Sequence, residues 1–436
     1  MNAKQQYPTE PVKVWGKAKE LRQKYYKNYM EPPEKEALRY NGGTWNIDAV
    51  PRGLSVPVYS LTGEPYGASC SNDMKFTTRC MQKTENYGFA RDLCAYFRNY
   101  TGSVLLGEYA FGGSLPRADF IWQSVICCTH AKWYEAISEM EGDIPMYFTD
   151  ISVGPCPPFA ELSPYRIDYI AGQLLDGIDW LEKTTGKGFD DEKFIQASKY
   201  YMNSMYKWAK TCELNQNIPA PLGEKSMFSL YVLGSLERGR KEVSDFYDEV
   251  YEEAKERVSR GIAEIGNERC RLMTDSQPPW SFLEMWRYFE RFYGAISVGS
   301  LYTFALTGSW DVKEGKLVAK EPLDPGNTRE SACRALAEWH ICMPIYAGLY
   351  HAEYKNQLMR MIARQWKIKG VILHLNRGCE GSAMGLFENR IALTDEGFPC
   401  LTFEGNMGDE REVDKGGAYK KIDIFMEDML GVRKID

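Results

Sequence analysis

Apolar positions in the first part of the chain switch between helical spacing and short continuous runs. Helical spacing predicts a charged amphipathic helix over about residues 10–35, which ends at the Pro32–Pro33 pair because proline disfavours a helical conformation in the residue before it. Farther along, the helix-like stretch ENYGFARDLCAYFRNYTG precedes a strand-like run, DFIWQSVICC. A helix-like HAKWYEAISEME and a second strand-like run, IPMYFTDI, follow. This order predicts a parallel strand–helix–strand unit between about residues 40 and 160.

The remainder of the chain alternates in the same way. Residues from about 165 to 265 have helical spacing that is broken once, at QNIPAPLG. From about 290 onwards, strand-like runs return as GAISVGS, GVILHLN and FPCLTFEG, with helix-like segments between them. The Gly-, Asp- and Pro-rich stretch GSWDVKEGKLVAKEPLDPGNTRE is predicted to be an exposed excursion.

These elements predict an α/β fold in which two Rossmann- or flavodoxin-like parallel-sheet subdomains are joined by helices and preceded by an N-terminal helical extension. The two halves share no letter-by-letter repeat, so the predicted duplication is one of architecture only. Four segments are predicted: an N-terminal helical extension over 1–40, a first α/β subdomain with Cys94 and Cys127 over 41–165, a mainly helical connecting region over 166–290, and a second α/β subdomain with Cys379 over 291–436.

Composition and charge exclude several classes of protein. The 436 residues are 44% hydrophobic and 26% charged, which is ordinary for a globular protein with a large core. The formal charge of −7 provides no basic surface, so nucleic acid is not an expected partner. The sequence contains no run of about 18 apolar residues, so no membrane-spanning helix is predicted. The N-terminus lacks the apolar segment of a signal peptide, and twelve cysteines then indicate free thiols in a cytoplasmic protein.

Three cysteines lie in sequence frames that point to chemistry. They are Cys94 in GFARDLCAYFRNY, Cys127 in DFIWQSVICCTHAKWYE and Cys379 in GVILHLNRGCEGSAMGLFENR. Cys127 and Cys379 follow a strand-like run and precede a helix-like one, which is where α/β proteins collect ligands. The free N–H groups of a helix N-terminus lower the pKa of a thiol and stabilise a negatively charged cluster. Three thiolates from three segments suit an iron–sulfur cluster with one open position.

Spacing alone leaves an ordinary alternative for each of these cysteines. The chain has no CxxCxxC run of the ferredoxin kind and no CxxC pair of the zinc-ribbon kind. Most cysteines are therefore expected to be small buried hydrophobes. This interpretation is given to four cysteines in helix-like stretches, Cys212, Cys270, Cys333 and Cys342.

Four histidines are too few to predict a histidine-based metal site. His130 and His374 flank the cysteine loops, where a polar residue at a helix start and a strand residue are the alternative interpretations. His340 and His351 fall in an apolar helical pattern and are interpreted as structural residues.

The cysteine frames resemble those of the 2-hydroxyacyl-CoA dehydratase and ATP-dependent (class I) benzoyl-CoA reductase family. The patterns G-x-x-R-D-x-C-x-Y, C-x-T-x-x-K-W-Y/F-E and a strand that ends in R-x-C match at Cys94, Cys127 and Cys379. Cys127 fits better than Cys128 because it lies five residues before Lys132. Within the family, YSLTGEPYGAS, ICCTHAKWY and the N-terminal stretch look most like the larger, O-type subunit of the Bzd form of benzoyl-CoA reductase.

The C-terminal part extends the resemblance, which covers about residues 55 to 430. The segment FEGNMGDER, with Glu404, Asp409 and Arg411, resembles the family's E-x-D-x-x-D-x-R segment. Asn406 stands where an aspartate is usual, which puts a charge at that position in doubt.

The resemblance implies a [4Fe–4S] cluster held by the three cysteines, with a non-protein fourth ligand. It implies that the complex reduces benzoyl-CoA to a cyclic dienoyl-CoA in anaerobic aromatic degradation, by alternating electron and proton transfers. The expected partners are a second cluster-bearing subunit of related fold, two actin-like ATPase subunits and ferredoxin as electron donor. The candidate acid–base residues are His130, His374 and Glu404.

ATP is expected to act on the partner subunits. The chain lacks the G-x-x-x-x-G-K-[ST] phosphate loop, and its nearest fragment, TTGKG at 184–188, lacks the upstream glycine. Two alternatives to a reductase stay open. One is a 2-hydroxyacyl-CoA dehydratase subunit with the same cluster and radical dehydration chemistry. The other is a non-catalytic α/β scaffold whose cysteines only pack.

Overall fold

A computed structural model describes residues 6–151 and 154–435. The first half contains a four-stranded, all-parallel sheet with the spatial order β2–β1–β3–β4. Its strands are β1 (Leu38–Gly42), β2 (Val58–Thr62), β3 (Phe120–Val125) and β4 (Met146–Asp150). The predicted α/β class is confirmed.

The second half contains another four-stranded, all-parallel sheet and, separately, an antiparallel hairpin. The strands in chain order are β5 (Cys270–Asp275), β6 (Ala295–Ser300), the hairpin strands β7 (Trp310–Lys313) and β8 (Lys316–Ala319), β9 (Gly370–Asn376) and β10 (Cys400–Gly405). The spatial order of the second sheet is β6–β5–β9–β10.

Both sheets have the same connectivity. In each, the first strand lies between the second and the third, so the chain reverses its direction of progress once. The reversal falls between β1 and β3 in the first sheet and between β5 and β9 in the second. This is the flavodoxin-like order, in which the crevice at the carboxyl ends of those two central strands is the ligand position.

Helices cover the sheets, fill the region between them and form the predicted N-terminal extension. The described helices are α1 (Trp15–Met30), α2 (Gly63–Cys70), α3 (Met74–Tyr87), α4 (Ala95–Leu106), α5 (Cys128–Met140), α6 (Pro164–Thr185), α7 (Asp191–Leu214), α8 (Glu224–Tyr231), α9 (Leu233–Leu236), α10 (Lys241–Arg260), α11 (Glu284–Tyr293), α12 (Leu301–Thr307), α13 (Arg329–Ile341), α14 (Pro344–Tyr350), α15 (Ala352–Gln365), α16 (Glu380–Ala383), α17 (Leu386–Asp395) and α18 (Lys415–Ile424). No helix among the described residues is both long and apolar enough to cross a bilayer.

The stretch around Cys94 forms two helices where the sequence predicted one. Helix α3 ends at Gly88, whose φ of 118° lies in the left-handed region that glycine tolerates. The chain then runs without helical structure until Cys94, which is the N-cap of α4. The glycine therefore ends one helix and lets Cys94 begin another.

Strand β5 was not predicted, and Cys270 begins this strand instead of lying in a helix. The charged Arg271 obscured a strand that is buried along its whole length. Its guanidinium is buried because it donates to backbone carbonyl oxygens, including that of Trp366 at 2.9 Å. Such bonds supply the partners that a buried charge needs.

The hairpin β7–β8 occupies residues 310–319 of the stretch predicted to be an exposed excursion, and residues 320–328 have no regular structure and are mostly exposed or half-buried. Trp310 and Leu317 are buried, and the Trp310 indole N–H donates to the carbonyl oxygen of Phe304 at 2.9 Å. The turn passes through Gly315, whose φ is 74°. One tryptophan in a polar stretch thus anchors the hairpin to the core.

A three-cysteine cavity as the candidate active site

A cavity of about 130 Å³ lies at the carboxyl ends of both sheets. The loops that follow the central strands of the first sheet contribute Trp45 and Cys127, and those of the second sheet contribute Gln277 and Cys379. The positions where the two sheets reverse their order therefore open into one space. Parallel α/β folds place their ligands at such positions.

Three cysteines from separate segments line this cavity, and each is a helix N-cap. Cys94 precedes α4, Cys127 precedes α5 and Cys379 precedes the short α16. All three side chains are half-buried. The first residue of α5, Cys128, also borders the cavity but is exposed. The three cysteines that the sequence singled out are therefore brought together.

The thiols are close enough to affect one another's ionisation. Burial raises the pKa of Cys94, and the neighbouring Cys379 and Cys127 raise it further. The N–H groups of Phe97 and Tyr96, at the start of α4, partly offset this increase. Burial also raises the pKa of Cys127 to about 12, even though the N–H of His130 lies 3.5 Å from its sulfur. Without a bound cation, the thiols of Cys94 and Cys127 are therefore protonated at neutral pH.

The third thiol receives its hydrogen bond from a side chain. The Gln277 amide nitrogen lies 3.2 Å from the sulfur of Cys379. The three sulfurs thus face N–H donors of different kinds, and N–H···S bonds are a regular feature of iron–sulfur ligation.

Three half-buried thiols are metal-binding groups that the cavity offers, a number that suits an iron–sulfur cluster with one open position. Among residues 6–151 and 154–435, no group of three or more His, Cys, Asp and Glu side chains is placed to hold one metal ion. A single zinc ion requires thiolates that converge to about 2.3 Å from one centre. In an iron–sulfur cluster, by contrast, each thiolate bonds to a different iron atom, so the sulfurs can lie farther apart.

A carboxylate–imidazole pair lies in the same cavity. Glu64 and His130 are hydrogen-bonded through the carboxylate and Nε2, and both are buried. The Gly43 N–H donates to the side-chain oxygen of Gln123. The side-chain nitrogen of Gln123 therefore points the other way and lies 3.0 Å from His130 Nδ1. Nδ1 is therefore an acceptor, and the ring proton lies on Nε2 and is donated to Glu64.

Glu64 is ionised despite its burial. Burial alone would raise its pKa, but the His130 ring that is hydrogen-bonded to it and the Thr44 N–H at 2.8 Å hold the pKa below its usual value. The Thr44 hydroxyl adds a second bond to the same oxygen at 3.2 Å. Glu64 is therefore a carboxylate in the cavity that can accept a proton near the thiols, and Asp92, Asp275 and Glu380 line the same cavity.

The rest of the wall is mostly apolar. Aromatic and aliphatic side chains on both sides of the cysteines are Trp45, Leu93, Tyr96, Ile126, Trp133, Leu301, Tyr302, Ile345, Leu349 and Met407. Such a wall favours an apolar group over a charged one.

A family profile described as 2-hydroxyglutaryl-CoA dehydratase, D-component, matches residues 55–429. The chain belongs to the 2-hydroxyacyl-CoA dehydratase family. The expected resemblance is thereby confirmed at the level of the family, whereas the benzoyl-CoA reductase branch is not shown.

Relatives of this family member share about a quarter of its residues. The (R)-phenyllactyl-CoA dehydratase alpha subunit of Clostridium sporogenes is 24% identical over 363 residues, or 81% of each chain. The (R)-2-hydroxyisocaproyl-CoA dehydratase alpha subunit of Clostridioides difficile is 25% identical over 365 residues, again 81% of each. The (R)-2-hydroxyglutaryl-CoA dehydratase subunit alpha of Acidaminococcus fermentans is 24% identical over 323 residues, which is 72% of this chain and 61% of that protein.

Two of the predicted acid–base residues of this dehydratase-family chain do not line the cavity. His374 is buried in β9, and its Nδ1 donates to the Gln277 carbonyl oxygen at 2.6 Å. Burial lowers the pKa of His374 to about 4, so the ring is neutral. Glu404 is exposed and pairs with Arg377 at 2.7 Å. Only His130 of the three predicted residues reaches the cavity.

The aspartate-to-asparagine departure at 406 has a structural explanation. Asn406 is buried, and its side-chain oxygen accepts the N–H groups of Gly408 and Asp409 at 2.9 and 3.0 Å. Its side-chain nitrogen donates to Glu412 at 2.9 Å. The uncharged side chain of Asn406 thus holds the loop after β10 through hydrogen bonds alone.

Sequence reasoning missed Glu64 and Gln277, which contact His130 and Cys379. Glu64 lies in the stretch YSLTGEPYGAS, which had been noted for its resemblance alone. Its position directly after a buried strand is a signal that could have identified it. Gln277 gives no such signal because β5 itself was not recognised.

Proposed function

We propose that this chain is the subunit of a 2-hydroxyacyl-CoA dehydratase in which Cys94, Cys127 and Cys379 hold an iron–sulfur cluster beside the acyl-CoA thioester. The observation that carries the proposal is the convergence of three cysteines, drawn from both halves, on one apolar cavity at the strand ends. Membership of the family and the names of three relatives, all dehydratase alpha subunits, support dehydration as the reaction.

The cofactor that best fits these ligands is a [4Fe–4S] cluster with one iron that no protein side chain binds. Such a cluster supplies single electrons at low potential and an open coordination position. The protein's part is to hold it through three thiolates and to keep water out with the apolar wall. Its binding must also displace the protons that burial keeps on Cys94 and Cys127.

Glu64 and His130 are the residues proposed to handle protons. Loss of water from a 2-hydroxyacyl thioester requires that a proton leave the acyl chain and that the hydroxyl group leave with a proton. Glu64 is an ionised acceptor in the cavity, and His130 Nε2 holds a proton beside it. A hydrogen-bonded pair of this kind can take up one proton and release another.

Partners are proposed from the same relationship. The relatives are named as alpha subunits, so a second subunit is expected, and we propose that it has a related fold and its own cluster. This chain lacks a phosphate loop, so ATP hydrolysis is proposed to take place on partner subunits, which the family resemblance implies are two actin-like ATPases. Ferredoxin is proposed as the electron donor to the complex.

Reduction of benzoyl-CoA is the second candidate. Its support is the sequence resemblance of YSLTGEPYGAS and ICCTHAKWY to benzoyl-CoA reductases, together with the aromatic side chains of the cavity, which suit a flat acyl group. The dehydratase relatives make it the less supported of the two reactions.

Electron consumption distinguishes the two reactions. The anaerobically co-purified complex is supplied with ATP, a reduced dye and either an (R)-2-hydroxyacyl-CoA or benzoyl-CoA. A dehydratase forms 2-enoyl-CoA from the hydroxyacyl substrate with dye oxidation far below the amount of product. A reductase oxidises dye in proportion to the dienoyl-CoA that it forms. Turnover of benzoyl-CoA alone would reject the dehydratase assignment.

The ligand assignment has its own test. Anaerobically isolated protein is expected to be brown and to contain iron and acid-labile sulfide. Cys94→Ala, Cys127→Ala and Cys379→Ala should each bleach it. Cys212→Ala is the matched control because Cys212 is buried in α7, away from the cavity. A colourless unaltered chain would favour the non-catalytic scaffold, and equal iron in all four variants would reject these ligands.

A further inference from the structure

The side-chain amide of Gln277 is held in one orientation by its hydrogen bonds, because each partner can act only as a donor or only as an acceptor there. Asn376, at the end of β9, accepts the backbone N–H groups of Gly378 and Met407 on its side-chain oxygen, each at 3.1 Å. Its nitrogen therefore points the other way and donates to the Gln277 side-chain oxygen at 2.9 Å. The Gln277 nitrogen is then the atom that faces Cys379.

Two hydroxyl groups reinforce this orientation. The Gln277 oxygen also accepts a hydrogen bond from Ser382, just after Cys379, and one from Ser276 at 3.3 Å. Both serines are buried, as is Gln277. The backbone of Gln277 is held as well, because its carbonyl oxygen accepts the N–H of His374 at 2.6 Å.

Cys379 differs from the other two cysteines in what faces its sulfur. Cys127 accepts the His130 N–H of its own helix, and the first N–H groups of α4 face Cys94, although the Cys94 side chain makes no capping hydrogen bond. The helix after Cys379 has only four residues, and no hydrogen bond from this helix to the Cys379 side chain is present. The donor comes instead from the loop after β5, a different strand.

We propose that Gln277 is a positioning residue that donates an N–H bond to the Cys379 thiolate and thereby sets the reduction potential of the bound cluster. This inference rests on the proposed function, because it requires the cluster. An N–H bond to a ligating sulfur stabilises the more negative, reduced state, so it makes the potential less negative. Asn376, Ser276 and Ser382 act through Gln277 by holding its amide.

The test compares two substitutions in the co-purified complex. Gln277→Leu removes the donor, and Gln277→Glu keeps an oxygen for Asn376 but turns a carboxylate towards the sulfur. Both should keep an iron–sulfur cluster, alter the electron paramagnetic resonance spectrum of its reduced state and shift the midpoint potential to more negative values, with the larger shift for Gln277→Glu. Gln173→Leu is the control, because Gln173 bonds to the backbone of Asp150 and does not line the cavity.

The outcomes separate this inference from the function on which it rests. An unaltered chain without iron and sulfide overturns the cluster itself. A normal cluster whose spectrum and potential are unchanged in both Gln277 variants overturns the role of Gln277 alone. Gln277→Leu could lose iron while its circular dichroism stays normal. In that case the midpoint potential of reconstituted Gln277→Glu is the deciding measurement, and a potential equal to that of the unaltered protein overturns the proposal.

Discussion

Glu64 is an ionised carboxylate inside a mostly apolar cavity, and a proton-handling role follows from its bonds to His130 and Thr44. Glu64→Gln keeps the volume of the side chain but removes the proton acceptor. We expect turnover to fall by roughly 10²–10⁴-fold, the usual effect of losing an acid–base group. Iron content should be unchanged because no thiolate is altered. Glu135→Gln, at a half-exposed position on α5, is the control and should retain full turnover.

Glu224, which does not line the cavity, should make the stability of the fold depend on pH. Burial raises its pKa to about 7, although Thr274 donates to it at 2.9 Å. Between about pH 4.5 and 7, the folded state keeps a proton that the unfolded chain has released. The free energy of unfolding therefore decreases as the pH rises through this range, by on the order of 3 kcal/mol in total.

Glu224→Gln should remove this pH dependence. Thermal midpoints at about pH 5 and about pH 8 are the measurement. The difference between them should shrink in the variant and stay unchanged in Glu388→Gln, an exposed position on α17. The same slope in all three proteins would contradict an elevated pKa for Glu224.

The candidate site could be predicted in part from such single residues. Cys94, Cys127 and Cys379 were identified because a cysteine in a recognisable frame is rare enough to stand out. Glu64 and Gln277 were not, because carboxylates and amides occur throughout the chain and gain meaning only from three-dimensional neighbours. His374 and Glu404 illustrate the converse, since proximity along the chain to a cysteine loop did not place them in the cavity.

Helix α4 is tied to the second half of the molecule by an ion-pair network. Arg98, one turn after Cys94, is completely buried and donates to Asp409, after β10, at 3.2 Å and to Glu85, on α3, at 3.1 Å. Burial would raise the pKa of Asp409, but Arg411 and Arg98 hold it below its usual value. This network fixes the helix that begins at a proposed cluster ligand.

Arg98→Met should therefore affect both stability and ligation. Removing one partner of a buried ion pair costs roughly 3–5 kcal/mol when the other charge is left alone, and we expect the lower part of this range because Asp409 keeps Arg411 as a partner. We expect that decrease in the free energy of unfolding, measured with denaturant, together with a lower iron content. Arg79→Met is the matched control on α3, where the Arg79–Glu108 pair is exposed and is expected to contribute less than about 1 kcal/mol. Equal effects of the two substitutions would argue against the network.

The elements themselves were predictable where their hydrophobic pattern was regular. Strands β3, β4, β6, β9 and β10 and helix α5 read clearly because each contains several apolar residues at the expected spacing, even though β3 buries Gln123 and β9 buries His374. Strand β1 did not, because Leu38 and Tyr40 are the apolar residues among its five, and its buried Asn41 accepts the Tyr29 hydroxyl at 2.7 Å. A buried polar group is satisfied by a partner from a distant segment, and sequence periodicity does not report such partners.

Cysteines from both halves of the chain line one cavity, so the proposed cluster would join the two halves of the molecule. Cys94 and Cys127 belong to the first half and Cys379 to the second. A ligand that binds only the folded protein stabilises it by mass action. Anaerobic removal of iron by a chelator should lower the thermal midpoint. Cys379→Ala should start at the lower midpoint and respond little to the chelator, whereas an equal response in both proteins would contradict the bridging role.

Loops and helices form the apolar wall, while Cys127 and Cys379 follow hydrogen-bonded parallel strands. A change at Leu301 or Ile345 reshapes the space beside the thiols without altering a ladder pair that positions them. Under the proposed function, substitutions in this wall would change which acyl groups bind, while the proposed cluster ligands keep their positions. The same fold could in that way be adapted to thioesters with aliphatic or with aromatic acyl groups.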